Sequence, residues 1–238
     1  FKQKTAYEIS TRDWSSDVCS SDLAQIFRDG GYAMQRVLLN ADAPTHTRIR
    51  RHVYAAFTPQ RVAALEPRIR ACAQRFITQM MQLPQQRADI VATLTYALPA
   101  LVIFMLIGLD DDDVPAIKAG SESRVLFTWG QPSAAEQADL AQSMVEFWQR
   151  AAAFVAKRAQ SPQNDFTSDL IRLRNGDDSV LSMGEITSVV FGLLLAGHET
   201  TTGLLTNALR QLLSDPTRWQ ALHADPACVP AEIGRAHV

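Results

Sequence analysis

From Met183 to Leu213 the sequence keeps a helical rhythm of apolar residues with no proline to interrupt it. At 1.5 Å per residue that helix is roughly 45 Å long, enough to cross a whole domain. Its start is marked as clearly as its length. Ser182 and Glu185 have the spacing of a capping box, and Leu181 and Ile186 are placed to form the hydrophobic staple around it. Ser133 and Glu136 repeat the box ahead of a helix through Leu140, Met144, Phe147 and Phe154. Thr58-Pro59 and Asp215-Pro216 each put a capping side chain before a proline at the first helical position. After Pro59, residues Val62, Leu65, Ile69, Phe76 and Met80 mark one long helix, and Trp219 and Leu222 mark a short one after Pro216. No run alternates convincingly as a strand, and no internal repeat is visible. The predicted fold class is all-α.

Composition narrows the function classes. The 238 residues are 47% hydrophobic, too apolar for a disordered chain and enough for a sizeable core. A net charge of −2 argues against a general nucleic-acid binder. The three cysteines, Cys19, Cys72 and Cys228, form no C-x-x-C pair, so neither structural zinc nor a disulfide scaffold is expected, and a reducing cytoplasmic setting is. Ile90 to Leu109 carries no charge and has the length of a membrane span. Thr93, Thr95, Tyr96 and the central Pro99, with the acidic run after Leu109, predict instead a buried helix broken near Pro99. The ends read differently from the middle. Residues 1–23 open on Phe1, are polar and aperiodic, and are similar to translated adapter sequence, as is the ending 232–238. The predicted division is a foreign tail over 1–23, a partial domain over 24–231 and a second foreign tail over 232–238.

The chemistry concentrates in the long helix. Leu193-Leu194-Leu195-Ala196-Gly197-His198-Glu199-Thr200-Thr201-Thr202 places a glycine in mid-helix, which costs about 1 kcal/mol relative to alanine. Ala196 and Thr200 fall on one face, with Gly197 beside them and Glu199 roughly a quarter-turn away. Small residues and one hydroxyl would line a shallow notch there. The alternative is a packing notch in which Gly197 admits a neighbouring helix, as in a non-enzymatic helical interaction module. His198-Glu199 begins an H-E-x-x-H zinc pattern, but Thr202 stands where the second histidine belongs, so no metal site is predicted. A second stretch sets His46 and Arg50 one turn apart on a helix that Asp42 can cap, above an apolar stripe continuing to Val53 and Phe57. Two such groups suit the acidic edge of a flat, greasy ligand. Arg48 and Arg51 point elsewhere and read as a solvated basic face.

Both stretches resemble the cytochrome P-450 family. LLLAGHETTT is similar to its oxygen-binding helix, A/G-G-x-D/E-T-T, and DAPTHTRIRR with the following FTP is similar to its D-P-P-E-H-T-R-L-R-R…F-T-P segment, departing at Ala43 and Thr45. The resemblance implies the central part of that fold, without its N-terminal sheet region and its C-terminal heme-ligand region. It implies a soluble heme-thiolate monooxygenase of bacterial type that oxidises a small organic substrate with O2. The implied cofactor is heme b, its propionates held by His46 and Arg50 and its oxygen side lined by Ala196 and Gly197. Thr200 would hydrogen-bond the oxygen and Glu199 would pass protons. The axial cysteine of the F-x-x-G-x-x-x-C-x-G loop matches none of the three cysteines here and is expected beyond residue 238. Glu232 and Arg235 have the spacing of the family's E-x-x-R pair, but Gly234 between them favours coincidence. A ferredoxin-type donor with its reductase, a monomeric cytoplasmic enzyme, and no nucleic-acid or membrane partner complete what the resemblance implies. The fragment alone would be inactive.

Overall fold

The computed structural model describes residues 21–84, 87–109 and 113–236. Ten α-helices are assigned among them: α1 (Ser21–Asp29), α2 (Thr45–Ala56), α3 (Pro59–Met81), α4 (Leu98–Ile107), α5 (Val114–Trp129), α6 (Ala134–Gln160), α7 (Phe166–Arg174), α8 (Met183–Leu213), α9 (Pro216–Ala224) and α10 (Val229–Ala236). A π-helical turn covers Val91–Thr95 and a 3-10 turn Pro226–Cys228. No strand occurs among the described residues, so the chain is all-α there as its punctuation predicts. Residues 1–20 of the expected tail lie outside the described residues. Its last residues enter α1, where Leu23 is buried. At the other end, α10 continues to Ala236 despite Gly234, and Arg235 stands 3.2 Å from Glu232.

The caps act where the sequence puts them. Ser133 and Glu136 form the full capping box at α6. Asp215 accepts from the Thr217 and Arg218 amides at α9, and the Arg61 amide donates to Thr58 Oγ1 at 3.1 Å. At α8 the Ser182 amide donates to Glu185 Oε2 at 2.8 Å and the Glu185 amide to Ser182 Oγ at 3.1 Å, with Leu181 and Ile186 both fully buried. The α2 start differs from expectation: Pro44 occupies the cap position without a side-chain bond, and Asp42 contributes its backbone carbonyl to the His46 amide at 2.8 Å. The uncharged stretch before Leu109 splits into the π-helical turn and α4, with Pro99 in the first turn of α4, where its missing N–H costs nothing. No helix among the described residues is long and apolar enough to cross a membrane.

The chain forms two compact units, one from residues within Phe1–Ala64 and Phe104–Leu195, the other from Leu65–Ile103 and Ala196–Val238; α8 runs from the first into the second. In the first unit α6 packs along α5 and α1, and α7 lies against α2 and α6. Rings of Phe147, Trp148 and Phe191 meet at 4.7–5.3 Å in its core. A buried polar node closes the end of α4. Arg158 Nε donates to Asp165 Oδ2 at 2.6 Å, Arg158 Nη2 donates to the Gly108 carbonyl, and Asp165 Oδ1 caps α7 through the Ser168 amide. Gly108 has φ +102, and any Cβ there would overlap the Asp165 carboxylate, so only glycine serves. In the second unit, Thr95 of the π-helical turn meets Thr206 of α8 through their hydroxyls at 2.7 Å.

Arg48 corrects the sequence reading. It is no solvated charge: its Nη2 and Nη1 reach Glu185 Oε1 and Oε2 at 2.5 and 3.1 Å, and Nη1 also donates to the Val180 carbonyl at 2.7 Å. The Glu185 carboxylate, needed to cap α8, draws the guanidinium inward. Hydrogen bonding from Arg48, more than the opposing burial, holds the Glu185 carboxyl below its usual range. A depressed folded value stabilises the fold above the unfolded glutamate value of about 4.3 and ceases to do so as pH falls through the folded value. Arg48→Met is therefore expected to lower stability by about 1.5–3 kcal/mol at pH 7, with the difference from wild type shrinking below about pH 4. Urea midpoints measured across that range check it; a pH-independent difference would contradict the assignment.

Candidate functional site

The middle of α8 presents two faces within the second unit. On one, an ideal Cβ added to Gly197 would overlap Ile103 Cγ1 of α4 and lie 2.9 Å from its Cδ1. The glycine admits a neighbouring helix, as the packing alternative requires. On the other face Ala196 and Thr200 are exposed, and a Cβ at Gly203 would meet nothing within 4 Å. Thr200 Oγ1 donates to the Ala196 carbonyl at 3.0 Å. With its proton committed there, the hydroxyl offers its lone pairs outward and acts as an acceptor.

Glu199 is tied to its neighbour. His198 is fully buried, and its Nε2 lies 2.9 Å from Glu199 Oε1, while the Glu199 side chain stays 34% exposed. The carboxylate thus has one edge on a buried imidazole and a path to solvent, which suits a group that holds and passes a proton. Sequence reading weighed His198 only as half of a zinc motif and missed this pairing, which adjacency in sequence does not announce. No group of residues that could hold a metal ion occurs among the described residues.

His46 and Arg50 belong to the first unit. They stand one turn apart on α2 and line an open pocket of about 480 Å³ with Leu38, Leu39, Ala41, Asp42 and Ala43. Among the described residues neither side chain has a hydrogen-bond or ion-pair partner, whereas Arg48 on the other side of the helix is fully engaged. Nearby His52 is pulled below its ordinary value by burial first and by Arg51 and Arg48 next, so it is neutral at pH 7. Two unengaged donors on a pocket wall with apolar neighbours match the chemistry of a carboxylate-edged flat ligand. The heme propionates fit that description. The iron ligand does not come from the described cysteines: Cys72 sits on α3 and Cys228 ends a 3-10 turn, neither in the ligand-loop pattern.

Comparison with known proteins identifies the family. The profile of the family described as Cytochrome P450 matches residues 19–227. Cytochrome P450 107B1 of Saccharopolyspora erythraea is 35% identical over 82% of this chain and 46% of its own length. Cytochrome P450 monooxygenase PikC of Streptomyces venezuelae is 33% identical over 81% of this chain and 45% of its own. Among solved structures, cytochrome P450 CREJ in complex with (4-ethylphenyl) dihydrogen phosphate superposes with a TM-score of 0.84 at 38% identity, covering 90% of this chain and 53% of that one. The chain spans about half the length of the relatives it matches.

The Gly197 contact is testable alone. Gly197→Ala is expected to destabilise by about 1–3 kcal/mol through overpacking, and Ile103→Ala in the same chain to recover part of that loss. Thermal melts of the single and double variants check the coupling, and strict additivity would place the glycine's role elsewhere.

Proposed function

The chain belongs to the cytochrome P450 family, and on that premise we propose that it is the central part of a heme-dependent monooxygenase that inserts one oxygen atom of O2 into a small organic substrate. The observation that carries the reading is the pair of unengaged donors, His46 and Arg50, on one pocket wall. Heme b, when bound, supplies the redox iron and the oxidising chemistry, tuned by a cysteine thiolate. The chain's own residues supply the setting. Arg50 and His46 bind and orient the propionates, the charged Arg50 more strongly. Ala196 keeps the oxygen-side face of α8 low enough for a flat group and its reactants. Gly197, allotted to that face from sequence, serves it indirectly by seating α8 against Ile103.

Thr200, its own proton spent on the Ala196 carbonyl, accepts a hydrogen bond from a protonated group or water placed over the notch. Glu199 exchanges protons with solvent at its exposed edge while His198 steadies Oε1. The axial cysteine belongs to sequence outside these 238 residues, so this chain alone is inactive; the working enzyme is monomeric and cytoplasmic. Its electrons come from a ferredoxin-type donor through a reductase. The ligand named with the CREJ structure suggests a substrate class, an aromatic body carrying an anionic ester.

Two experiments on the full-length protein test the reading. Arg50→Ala is expected to weaken heme retention by about 1.5–3 kcal/mol and His46→Ala by less, measured as heme transfer to an apoglobin acceptor. Unchanged loss in both would remove them from the cofactor site. Thr200→Ala is expected to keep substrate binding but divert reduced nicotinamide into peroxide, with Thr200→Ser restoring coupling. Glu199→Gln is expected to slow turnover by on the order of 10² with a larger solvent isotope effect. Wild-type coupling in Thr200→Ala would mean that the hydroxyl only closes a helix bond.

A further inference from the structure

Arg124 of α5 is placed unlike the other inward-facing arginines of the first unit. Arg48 has Glu185, Arg158 has Asp165 and Arg61 has Asp169 as carboxylate partners. Arg124 has none among the described residues. Its guanidinium carbon lies 4.6 Å from the centre of the Phe191 ring, its Nη2 is 3.8 Å from Met34 Sδ, and its Nη1 is buried without a hydrogen-bond partner among the described residues. Tyr32 is the neighbouring polar group, and its hydroxyl donates to the same sulfur at 3.4 Å. Burial pushes the Tyr32 phenol up and Arg124 pulls it partly back, so the phenol is neutral and still a donor at pH 7. Arg124 is half-buried; a ring face and a thioether are weak partners for its inner edge, and charge withdrawn from water is ordinarily paired. Arginine does not escape by losing its proton. The surroundings are rings: Tyr32 packs on Phe27 at 5.1 Å and on Trp148 at 5.4 Å. A cationic fork with an idle N–H, a phenol beside it and aromatic walls together make half of a binding site for an organic anion.

We propose that Arg124 receives the oxyanion of the substrate, a carboxylate or phosphate carried on an aromatic or hydrocarbon body, with the Tyr32 hydroxyl as second donor. This rests on the reading of the chain as part of a monooxygenase and narrows its substrate class. Nη1 and Nη2 present two parallel N–H groups, the geometry that matches both oxyanions, and Nη2 surrenders only a sulfur contact to use it. A ligand pinned at its charged end is held in one orientation, which fixes the carbon it offers for oxidation.

Calorimetric titration of the full-length, heme-loaded protein tests this with 4-ethylphenyl phosphate, 4-ethylbenzoate and neutral 4-ethylanisole. The better anion is expected to bind at least tenfold tighter than the neutral ligand, about 1.4 kcal/mol. The tighter of the two anions identifies the head group. Arg124→Met is expected to bring the ratio near one while leaving the neutral ligand's affinity unchanged. Arg124→Lys, which keeps charge and bulk but loses the fork, is expected to lower it severalfold, and it decides the matter if the methionine variant does not fold. No anion preference in the wild type, or a preference that survives both substitutions, overturns the proposal. Oxidation of the neutral ligand without anion preference sinks the anion site alone. Anion-selective binding with no oxidation of any ligand sinks the monooxygenase reading and leaves Arg124 as an anion receptor.

Discussion

Glu185 does two jobs with one carboxylate. It closes the capping box with Ser182 at the start of α8, and it accepts the fork of Arg48 from α2. The first bond satisfies an amide that a helix start otherwise leaves bare, and the second secures the helix carrying His46 and Arg50 to the longest element of the chain. Leu181 and Ile186, which flank the cap in sequence, are both fully buried. Removing either partner exposes more than one bond. The cap, the position of α2 within its unit and the side from which the two pocket donors project all follow from this contact.

Gly197 and Thr200 lie on different faces of one helix, the first packed and the second exposed. The glycine spends its missing side chain on Ile103, so the close approach lies on the face turned toward α4. The open face keeps the small Ala196 and the hydroxyl of Thr200, whose proton is held by the helix itself. A larger residue at either place would act differently: at 197 it would push a helix away, and at 196 it would project from the exposed face. The close packing contact and the exposed small residues thus occupy different sides of the helix.

The charged groups of the first unit divide in the same way. Arg48, Arg61 and Arg158 meet carboxylates and hold helices together, and their substitution is a matter of stability. Among the described residues Arg50 and Arg124 lack such partners, and each lies beside apolar or aromatic surface. A charge without a counter-charge is costly where it is buried, as Arg124 Nη1 is, whereas Arg50 is exposed and its charge is met by water.

Much of this is legible in the sequence alone. The bounds of α8, the caps at Ser133, Thr58, Ser182 and Asp215, and the break near Pro99 depend on residues within a few positions of one another, so local chemistry determines them. The same holds for the one-turn spacing of His46 and Arg50 and of Ala196 and Thr200, since helical period alone sets it. What Arg48 does, why residue 197 is glycine, that His198 and Glu199 share an edge, and that Arg124 is left unpaired were decided by tertiary structure. Two of these depend on segments far apart in sequence, such as Ile103 with Gly197 and Arg48 with Glu185. Helical periodicity can say which face a side chain takes, but only packing supplies the partner waiting there.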